Sequence, residues 1–200
     1  MASKKFYAVR EGREKGIFTV WKDCQKQVVG YKGAQFKGFM TIEEAQAYLD
    51  STDSVPADKV RDGAVAAYVD GSYNIHTKAF SYGAVIFDNG EEITMSEMFE
   101  DEELASMRNV AGEINGSMAA MKYCVEHNRP LLDLYYDYEG IAKWCLGEWK
   151  TTKKGTAAYK AYYDSVKDKL DVRFVKVKSH SGNKYNDMAD RLAKDAVGNE

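Results

Sequence analysis

The sequence has no long hydrophobic run, and this absence argues against a membrane-spanning protein. None of its apolar stretches approaches the roughly 18 residues that a membrane-spanning helix requires. Residues 1–6 also lack the apolar core of a secretory signal. We therefore predict a protein without membrane association, in an intracellular and cytoplasmic location.

Cysteine is also scarce in this chain. The three cysteines, Cys24, Cys124 and Cys145, are far apart in the sequence and odd in number. Because none of them belongs to a Cys-x-x-Cys pair, the pattern argues against a disulfide framework and against a zinc site. We expect reduced thiols that are partly buried.

The composition is that of an ordinary globular protein, with an uneven distribution of charge. Hydrophobic residues make up 44% and charged residues 30% of the 200 positions. Residues 1–50 contain nine Lys/Arg and six Asp/Glu, whereas the remainder of the chain is acidic overall. A basic piece joined to a larger acidic piece suits an anion-binding module attached to a second domain.

A polar segment divides the chain. Residues 51–62 lack periodicity and contain Pro56, which indicates a linker between a domain over residues 1–50 and a domain over residues 63–200. Before the linker, the patterns predict strand, strand, helix, strand and helix in a small α+β module. Thr41 followed by Glu44 is a capping-box pattern at the start of its last helix.

Five strand patterns and four helix patterns follow the linker. The strands are predicted over residues 64–69, 81–87, 92–99, 131–136 and 172–177. The helices are predicted over residues 104–127, 140–149, 157–170 and 185–197. Asn89-Gly90 indicates a hairpin between the second and third strands. The order β-β-β-α-β-α-α-β-α predicts an α/β fold, a mixed five-stranded sheet with helices on its faces.

Four acidic residues occupy positions that could serve a catalytic site. Asp70 and Asp137 each follow an apolar strand run, at the sheet edge where open α/β sheets place ligands. Glu113 lies in the long helix among small residues that would let the backbone approach another element. Asp190 shares one face of the last helix with the residues four positions before and after it. Taken singly, the aspartates could be turn or capping residues, and the two helical acids could be solvated.

The combination of these acids with their neighbours resembles the type 1 ribonuclease H family over residues 64–197. The matching motifs are Tyr68-Val69-Asp70-Gly71-Ser72, Asn109 with Glu113, Tyr135-Tyr136-Asp137, Lys178-Ser179-His180-Ser181-Gly182 and Asn186-Asp187-Met188-Ala189-Asp190-Arg191-Leu192-Ala193. The resemblance implies an endonuclease that hydrolyses the RNA strand of an RNA–DNA hybrid. The sequence leaves the oligomeric state open; we take a monomer without an obligate protein partner as the default.

The resemblance also implies roles for the acids. Asp70, Glu113, Asp137 and Asp190 would hold two Mg²⁺ ions, with Mn²⁺ as a possible substitute, because both are hard cations that prefer oxygen ligands. The implied products carry a 5′-phosphate and a 3′-hydroxyl. His180 would assist proton movement or product release, unless it is a loop histidine without a task.

Further residues are candidates for contacts with the substrate. Gly71, Ser72, Asn109 and Asn186 are the candidates for sugar and backbone contacts. The candidates for phosphate contacts are Lys150, Thr151, Thr152, Lys153 and Lys154. The lysines among them could equally form a solvated turn.

The first 50 residues separately resemble the hybrid-binding domain, also called viroplasmin-like, that precedes many such enzymes. The motifs are Lys5-Phe6-Tyr7-Ala8-Val9-Arg10, Gly16-Ile17-Phe18-Thr19-Val20-Trp21 and Gln35-Phe36-Lys37-Gly38-Phe39. The resemblance implies that Tyr7, Trp21 and Phe36 face the substrate and that Lys37 meets a phosphate. The alternative is that these aromatic residues form the core of the module.

The sequence departs from the family pattern at three places, and these departures concern substrate contacts. They are the loop after Asp70, the residues after Asp137, and the absence of a basic protrusion helix. Two rival hypotheses stay open at this point. One is a non-catalytic protein that binds hybrids or double-stranded RNA through a nuclease-like fold. The other is a related nuclease that acts on DNA junctions or single strands.

Overall fold

The computed structural model describes residues 6–31, 34–50, 60–177 and 183–199. The chain forms two compact units, Met1–Ser54 and Val55–Glu200. The boundaries that we proposed at residues 50 and 63 stay a prediction. None of the described helices is long and apolar enough to cross a membrane.

The first unit is a small three-stranded sheet with two helices. The strands are β1 (Phe6–Glu11), β2 (Gly16–Phe18) and β3 (Gln35–Phe39), and the helices are α1 (Trp21–Val28) and α2 (Ile42–Asp50). The strands pair antiparallel in the order β2-β1-β3. Val9, Cys24 and Val28 form its buried core. The predicted capping box is confirmed, since Thr41 N donates to Glu44 Oε2 at 3.3 Å and Glu44 N donates to Thr41 Oγ1 at 3.2 Å.

The second unit contains the predicted mixed sheet of five strands. These are β4 (Val65–Tyr73), β5 (Phe80–Asp88), β6 (Glu91–Phe99), β7 (Leu131–Tyr136) and β8 (Asp171–Lys176), in the order β6-β5-β4-β7-β8. The first three strands pair antiparallel, and β4, β7 and β8 pair parallel. The helices are α3 (Glu102–Ala105), α4 (Asn109–Glu126), α5 (Gly140–Cys145), α6 (Lys154–Val166) and α7 (Lys184–Val197).

Each face of the large sheet has its own hydrophobic core. The larger core joins the sheet to α4, α5 and α6, and it includes the buried thiols of Cys124 and Cys145. The smaller core joins the opposite face to α7 through Tyr68, Tyr135 and Tyr185. All three cysteines of the chain are free, and they are buried rather than partly buried as we expected.

The β5–β6 hairpin forms as predicted. Its two turn residues, Asn89 and Gly90, have φ angles of 50° and 85°. Two successive residues with positive φ are the requirement of the tight hairpin turn whose twist matches the flanking strands. The Asn-Gly pair therefore sets the register of β5 against β6.

The predicted single helix over residues 104–127 is wrong at its start. Arg108 has φ 55° and ψ −133°, which lies outside the helical region and interrupts the hydrogen-bond ladder. The segment therefore forms a short helix, α3, and then α4, which begins at Asn109. The helix predicted over residues 140–149 is also shorter and ends at Cys145, because Gly147 takes a left-handed conformation with φ 77°.

A buried charge in β7 was not predicted from the sequence. Asp133 is fully buried, yet its Oδ1 accepts hydrogen bonds from Arg61 Nε at 2.7 Å and from Arg173 Nε at 3.0 Å. Arg61 also bridges to Asp171 at 2.6 Å. Two guanidinium groups on one carboxylate compensate for its desolvation, and they attach the start of the second unit to β7 and β8.

Candidate functional site

Asp70 and Asp137 lie beyond the last paired residues of the parallel part of the sheet. The parallel pairing of β4 with β7 ends at Tyr68 and Tyr135. Asp137 follows β7 directly, as predicted. Asp70 lies within β4 rather than after it, because β4 continues to Tyr73 through its antiparallel pairing with β5. Both aspartates nevertheless lie at the carboxyl edge of the parallel strands, where such sheets bind ligands.

Two glycines bring Glu113 to this edge. A Cβ on Gly71 would lie 2.1 Å from Asn109 O, and a Cβ on Gly112 would lie 1.9 Å from Ser81 O. The backbone of α4 therefore packs directly on the backbones of β4 and β5. This contact agrees with the expectation that small residues around Glu113 permit a close approach. It also gives Gly71, a candidate for substrate contacts, a role in packing.

A third glycine fixes the position of α7. A Cβ on Gly83 would lie 2.1 Å from Ala189 O and 2.7 Å from Ala193 N. Beside it, Ser81 Oγ donates a hydrogen bond to Ala193 O at 2.5 Å. The helix that carries Asp190 is thus held against the strand that pairs with Asp70.

These contacts assemble three of the four predicted acids. One carboxylate oxygen from each of Asp70, Glu113 and Asp137 lies within 4.8 Å of the others. Burial, followed by repulsion from Asp137, raises the pKa of Asp70 to about 7. Burial, followed by repulsion from Asp137 and Asp70, raises the pKa of Glu113 to about 9. No Lys or Arg among the described residues forms an ion pair with any of the three.

The cluster fits a divalent cation. Glu113 Oε1 accepts a hydrogen bond from Asn109 Nδ2 at 3.2 Å, which orients the carboxyl group. Its second oxygen, Oε2, is buried and has no hydrogen-bond partner in the described part of the chain. An orphaned carboxylate oxygen beside two further carboxylates is the oxygen-rich ligand set that Mg²⁺ and Mn²⁺ prefer.

Asp190 is near this cluster but is not part of the close group. It is near enough to Asp70 to help raise the pKa of that residue. Its Oδ2 accepts a hydrogen bond from Lys194 Nζ at 2.7 Å. One turn earlier in α7, Asn186 is 3% exposed, and its Oδ1 has no hydrogen-bond partner in the described structure.

The other candidates for substrate contacts have different environments. Ser72 is buried, and its hydroxyl oxygen accepts a hydrogen bond from Asn199 Nδ2 at 2.9 Å. Asn109 is exposed at the first turn of α4. It lines a cavity of about 290 Å³ that also includes Arg108, Tyr138, Lys150, Thr152 and Lys153. Thr151 does not line this cavity, and Lys154 instead bridges to Glu103 at 2.7 Å.

The sequence reasoning missed an aromatic cluster beside the acids. The ring centroids of Tyr138, Trp144 and Trp149 lie 5.7, 6.3 and 6.0 Å apart, so the three rings contact one another. A Cβ on Gly140 would lie 2.4 Å from Tyr138 Cε1, so this position must be glycine for the rings to pack. The signal in the sequence was the clustering of aromatic residues directly after Asp137. Two of these rings, Tyr138 and Trp144, line the cavity that contains Lys150 and Lys153.

Two further groups of predicted residues belong to other parts of the chain. The loop histidine, His180, and the loop motif over residues 178–182 lie outside the described residues. In the first unit, Trp21 contacts Tyr7 and Phe36, with ring centroids 5.3 and 5.6 Å apart. Trp21 is 43% exposed and Phe36 is 42% exposed, so these two rings are not core residues, whereas Tyr7 packs against the core. Lys37 Nζ lies 5.7 Å from the ring of Phe39 in the same sheet.

Comparison with protein families identifies both units. A family described as "RNase H" matches residues 62–198, which is more than half of the chain, and a family described as "Ribonuclease H1 N-terminal domain" matches residues 5–49. Ribonuclease H1 of Rattus norvegicus is 24% identical over 257 aligned residues, covering 96% of this chain and 89% of the rat protein. Both resemblances predicted from the sequence are thereby confirmed.

The two units differ in how closely they match relatives. Ribonuclease H of Saccharomyces cerevisiae is 52% identical over 44 residues, which cover 22% of this chain and 13% of the yeast protein. Ribonuclease H of a Wolbachia strain from Drosophila simulans is 29% identical over 141 residues, which cover 66% of this chain and 94% of that protein. The short match of high identity and the longer match of lower identity are both to ribonucleases H.

Solved structures confirm the fold of the second unit. RNase H1 from Halobacterium salinarum superposes with a TM-score of 0.56 at 19% identity, covering 68% of this chain and 98% of that chain. LC11-RNase H1, solved in complex with an RNA/DNA hybrid, superposes with a TM-score of 0.55 at 18% identity, covering 67% of this chain and 96% of that chain. The mixed sheet and its helices thus form a ribonuclease H-like fold.

Proposed function

The chain belongs to the ribonuclease H family of endonucleases, and from this premise we propose that it hydrolyses the RNA strand of RNA–DNA hybrids. The observation that carries the proposal is the cluster of Asp70, Glu113 and Asp137, whose carboxylate oxygens lie within 4.8 Å of one another. It lies at the sheet edge where this class of fold binds ligands. A protein that only bound nucleic acid would have no use for three acids that repel a phosphate.

We propose that the acids act by holding two divalent ions, Mg²⁺ or Mn²⁺. When bound, such ions supply an activated water and neutralise the charge that develops on the phosphate during in-line displacement. Asp70, Glu113, Asp137 and Asp190 would be the residues that hold these ions. The orphaned Oε2 of Glu113 supports this assignment. Products with a 5′-phosphate and a 3′-hydroxyl follow if water attacks phosphorus opposite O3′, so that the P–O3′ bond breaks, O3′ leaves and takes up a proton, and the phosphate stays on the 5′ oxygen.

The side chains around the cluster hold the acids and their protons. Asn109 donates to Glu113 Oε1 and so orients the carboxyl group, while Oε2 stays buried without a hydrogen-bond partner in the described structure. Because the pKa values of Asp70 and Glu113 are raised to about 7 and about 9, cation binding must release protons that these groups hold at neutral pH. Cation affinity should therefore increase as the pH rises. His180, which lies outside the described residues, is retained as a candidate for proton movement.

The cavity beside the acids is the proposed contact region for the sugar–phosphate backbone. Arg108, Lys150 and Lys153 bring three positive charges to a cavity that Tyr138 and Asn109 also line. Cationic side chains with hydroxyl and amide groups are the usual partners of phosphate oxygens. The hybrid-bound structure of LC11-RNase H1 supports an RNA–DNA hybrid as the ligand. Discrimination from DNA duplex would depend on the 2′-hydroxyls of one strand.

The first unit is proposed to bind the same hybrid. The exposed rings of Trp21 and Phe36 offer surfaces on which sugars or bases can stack, and Lys37 offers a cation for a phosphate. Linking such a module to the nuclease raises the effective concentration of substrate without a new contact in the nuclease site. We propose that the chain acts as a monomer.

The test compares wild type with Asp70→Asn on an end-labelled RNA–DNA hybrid in Mg²⁺. We expect wild type to cut only the RNA strand. Asp70→Asn should slow cutting by roughly a thousandfold or more, because several kcal/mol of charge stabilisation are lost. Asp168→Asn, at an exposed aspartate after α6, serves as the matched control and should cut normally.

Two outcomes would contradict the proposal in different ways. Tight hybrid binding without cutting by any of the three proteins would favour the non-catalytic binding protein. Equal cutting of DNA duplex and hybrid would favour the related nuclease that acts on DNA. Removal of divalent ions by EDTA should abolish cutting by wild type, and persistent cutting in EDTA would refute the metal-dependent mechanism.

A further inference from the structure

Asp190 differs from the other three acids because it already has a cationic partner. Lys194, one turn later in α7, donates from Nζ to Asp190 Oδ2 at 2.7 Å. Within the described part of the chain, Asp70, Glu113 and Asp137 have no such ion pair. The acids of the described structure are therefore divided into a group of three without an ion pair and a single acid with one, and the charge of Lys194 also reaches Asp70, whose pKa it lowers.

The backbone of Lys194 is held in place by the end of α7. Gly198 takes a left-handed conformation with φ 70° after the last helical residue. The next residue, Asn199, donates its backbone N–H to Lys194 O at 2.9 Å, which completes a Schellman-type cap. Because Gly83 and Ser81 hold the helix backbone at Ala189 and Ala193, the Cα of Lys194 cannot shift without undocking α7.

The side chain of Lys194, in contrast, can withdraw. It is 42% exposed and the Asp190 side chain is 25% exposed, so the ion pair is open to solvent. A four-carbon stem with three rotatable donors lets the ammonium group exchange Asp190 for water at a small cost. The pair can thus open while the helix stays docked.

We propose that Lys194 is an internal counter-ion of Asp190 that competes with the second divalent cation. The proposal rests on the proposed function and goes beyond it by assigning a residue that sets the affinity of the weaker ion. The first ion would bind the three acids that lack a counter-ion. The second needs Asp190, whose Oδ2 is occupied, and it also meets the repulsion of a nearby positive charge. Two binding steps of unequal affinity follow.

Three variants distinguish the effect of the Lys194 charge on cation binding from a structural effect of replacing its side chain. Lys194→Met keeps the length of the side chain and removes its charge, so the second ion should bind more tightly. Lys194→Arg keeps the charge, so the dissociation constant of the weaker binding step should stay close to that of wild type. Lys160→Met is the matched control, because Lys160 forms the same i, i+4 ion pair with Asp164, at 2.6 Å, on α6.

The experiment is a calorimetric titration of the full chain with Mg²⁺, without substrate, repeated with Mn²⁺ and read by electron paramagnetic resonance. For wild type we expect a tighter and a weaker step. In Lys194→Met the dissociation constant of the weaker step should fall roughly threefold to tenfold, the range for a partly exposed unit charge. The dissociation constant of the tighter step should change less. Lys160→Met should have the same two dissociation constants as wild type.

The competing results are distinct. In the first, the affinity of the weaker step stays unchanged or falls in Lys194→Met, while the melting temperature of this variant matches that of wild type. In that case Lys194 does not compete with the second cation, and the proposal is overturned. A weaker step that tightens equally in Lys194→Arg would also overturn it, since charge would not be the cause. If wild type binds no divalent ion and still cuts hybrid in EDTA, the metal-dependent function itself fails, and the inference about Lys194 fails with it.

Discussion

At the scale of single residues, burial controls the protonation of Glu113. The residue is 3% exposed, and its pKa is raised from 4.5 to about 9. Without a metal ion the folded protein therefore holds this proton near neutral pH, whereas the unfolded chain has lost it. Because the folded state binds more protons between these two pKa values, the free energy of unfolding must decrease as the pH rises through that window.

This pH dependence can be tested with Glu113→Gln, which keeps the shape of the side chain and stays neutral. In EDTA, the unfolding free energy of wild type should fall between about pH 5 and about pH 9, and the variant should lose much of this slope. Near pH 8 the variant should be about 1–3 kcal/mol more stable than wild type. Urea unfolding at several pH values measures both quantities.

A control lies at the end of the same helix. Glu126→Gln changes an exposed glutamate and should retain the slope of wild type. Asp70, whose pKa is raised from 3.8 to about 7, adds a contribution of the same sign over a narrower pH window that ends near neutral pH. Equal slopes in wild type and Glu113→Gln would show that the carboxyl group of Glu113 is ionised in the folded protein.

At the scale of secondary-structure elements, the site depends on how closely α4 approaches the sheet. A Cβ on Gly112 would overlap Ser81 O at 1.9 Å, and both atoms belong to backbones that cannot move separately. Four residues later in the helix, a Cβ on Gly116 would lie 3.1 Å from Tyr82 Cβ, a contact that a small adjustment can relieve. The two glycines therefore form a matched pair for mutation.

We predict that Gly112→Ala destabilises the protein by about 3 kcal/mol or more, although alanine favours helix by about 1 kcal/mol. It should also weaken Mg²⁺ binding, because α4 must move away from β4 and take Glu113 with it. Gly116→Ala should be close to neutral in both measurements. Thermal unfolding and calorimetric titration test the pair, and similar losses in both variants would contradict this explanation of the helix position.

At the scale of the whole molecule, the chain combines a nuclease unit with a small unit that presents exposed aromatic rings. If the rings of Trp21 and Phe36 stack on the hybrid, Trp21→Ala should weaken hybrid binding about tenfold, since stacking contributes roughly 1–3 kcal/mol per base. The rate at saturating substrate should stay the same, because the acids lie in the other unit. Fluorescence anisotropy with a labelled hybrid and single-turnover cutting measure the two effects.

Val29→Ala is the control for this prediction. Val29 is 59% exposed in the same unit and has no aromatic surface, so its replacement should leave binding unchanged. A loss of affinity in both variants would point to a general destabilisation of the small unit. Unchanged affinity in Trp21→Ala would remove stacking by this residue from the mechanism.

The sequence by itself determined the order and type of the elements, because their signals are local. Asn89-Gly90 requires only the two positive φ angles of its own turn, and the Thr41–Glu44 box requires only three residues of helix. The acids could be named for a similar reason. Asp137 follows an apolar strand, and the order of such strands indicates which sheet edge they share.

Tertiary structure alone decided the features that depend on distance between elements. The helix break at Arg108 could not be predicted because no glycine or proline lies at this position. The close contact of Gly112 with Ser81 could not be predicted because the two residues are far apart in the chain. The raised pKa of Glu113 requires both the burial and the two neighbouring aspartates that folding supplies. The sequence could therefore name the four acids, whereas the packing of α4 and α7 on the sheet determined which three lie within 4.8 Å of one another and which one is paired with Lys194.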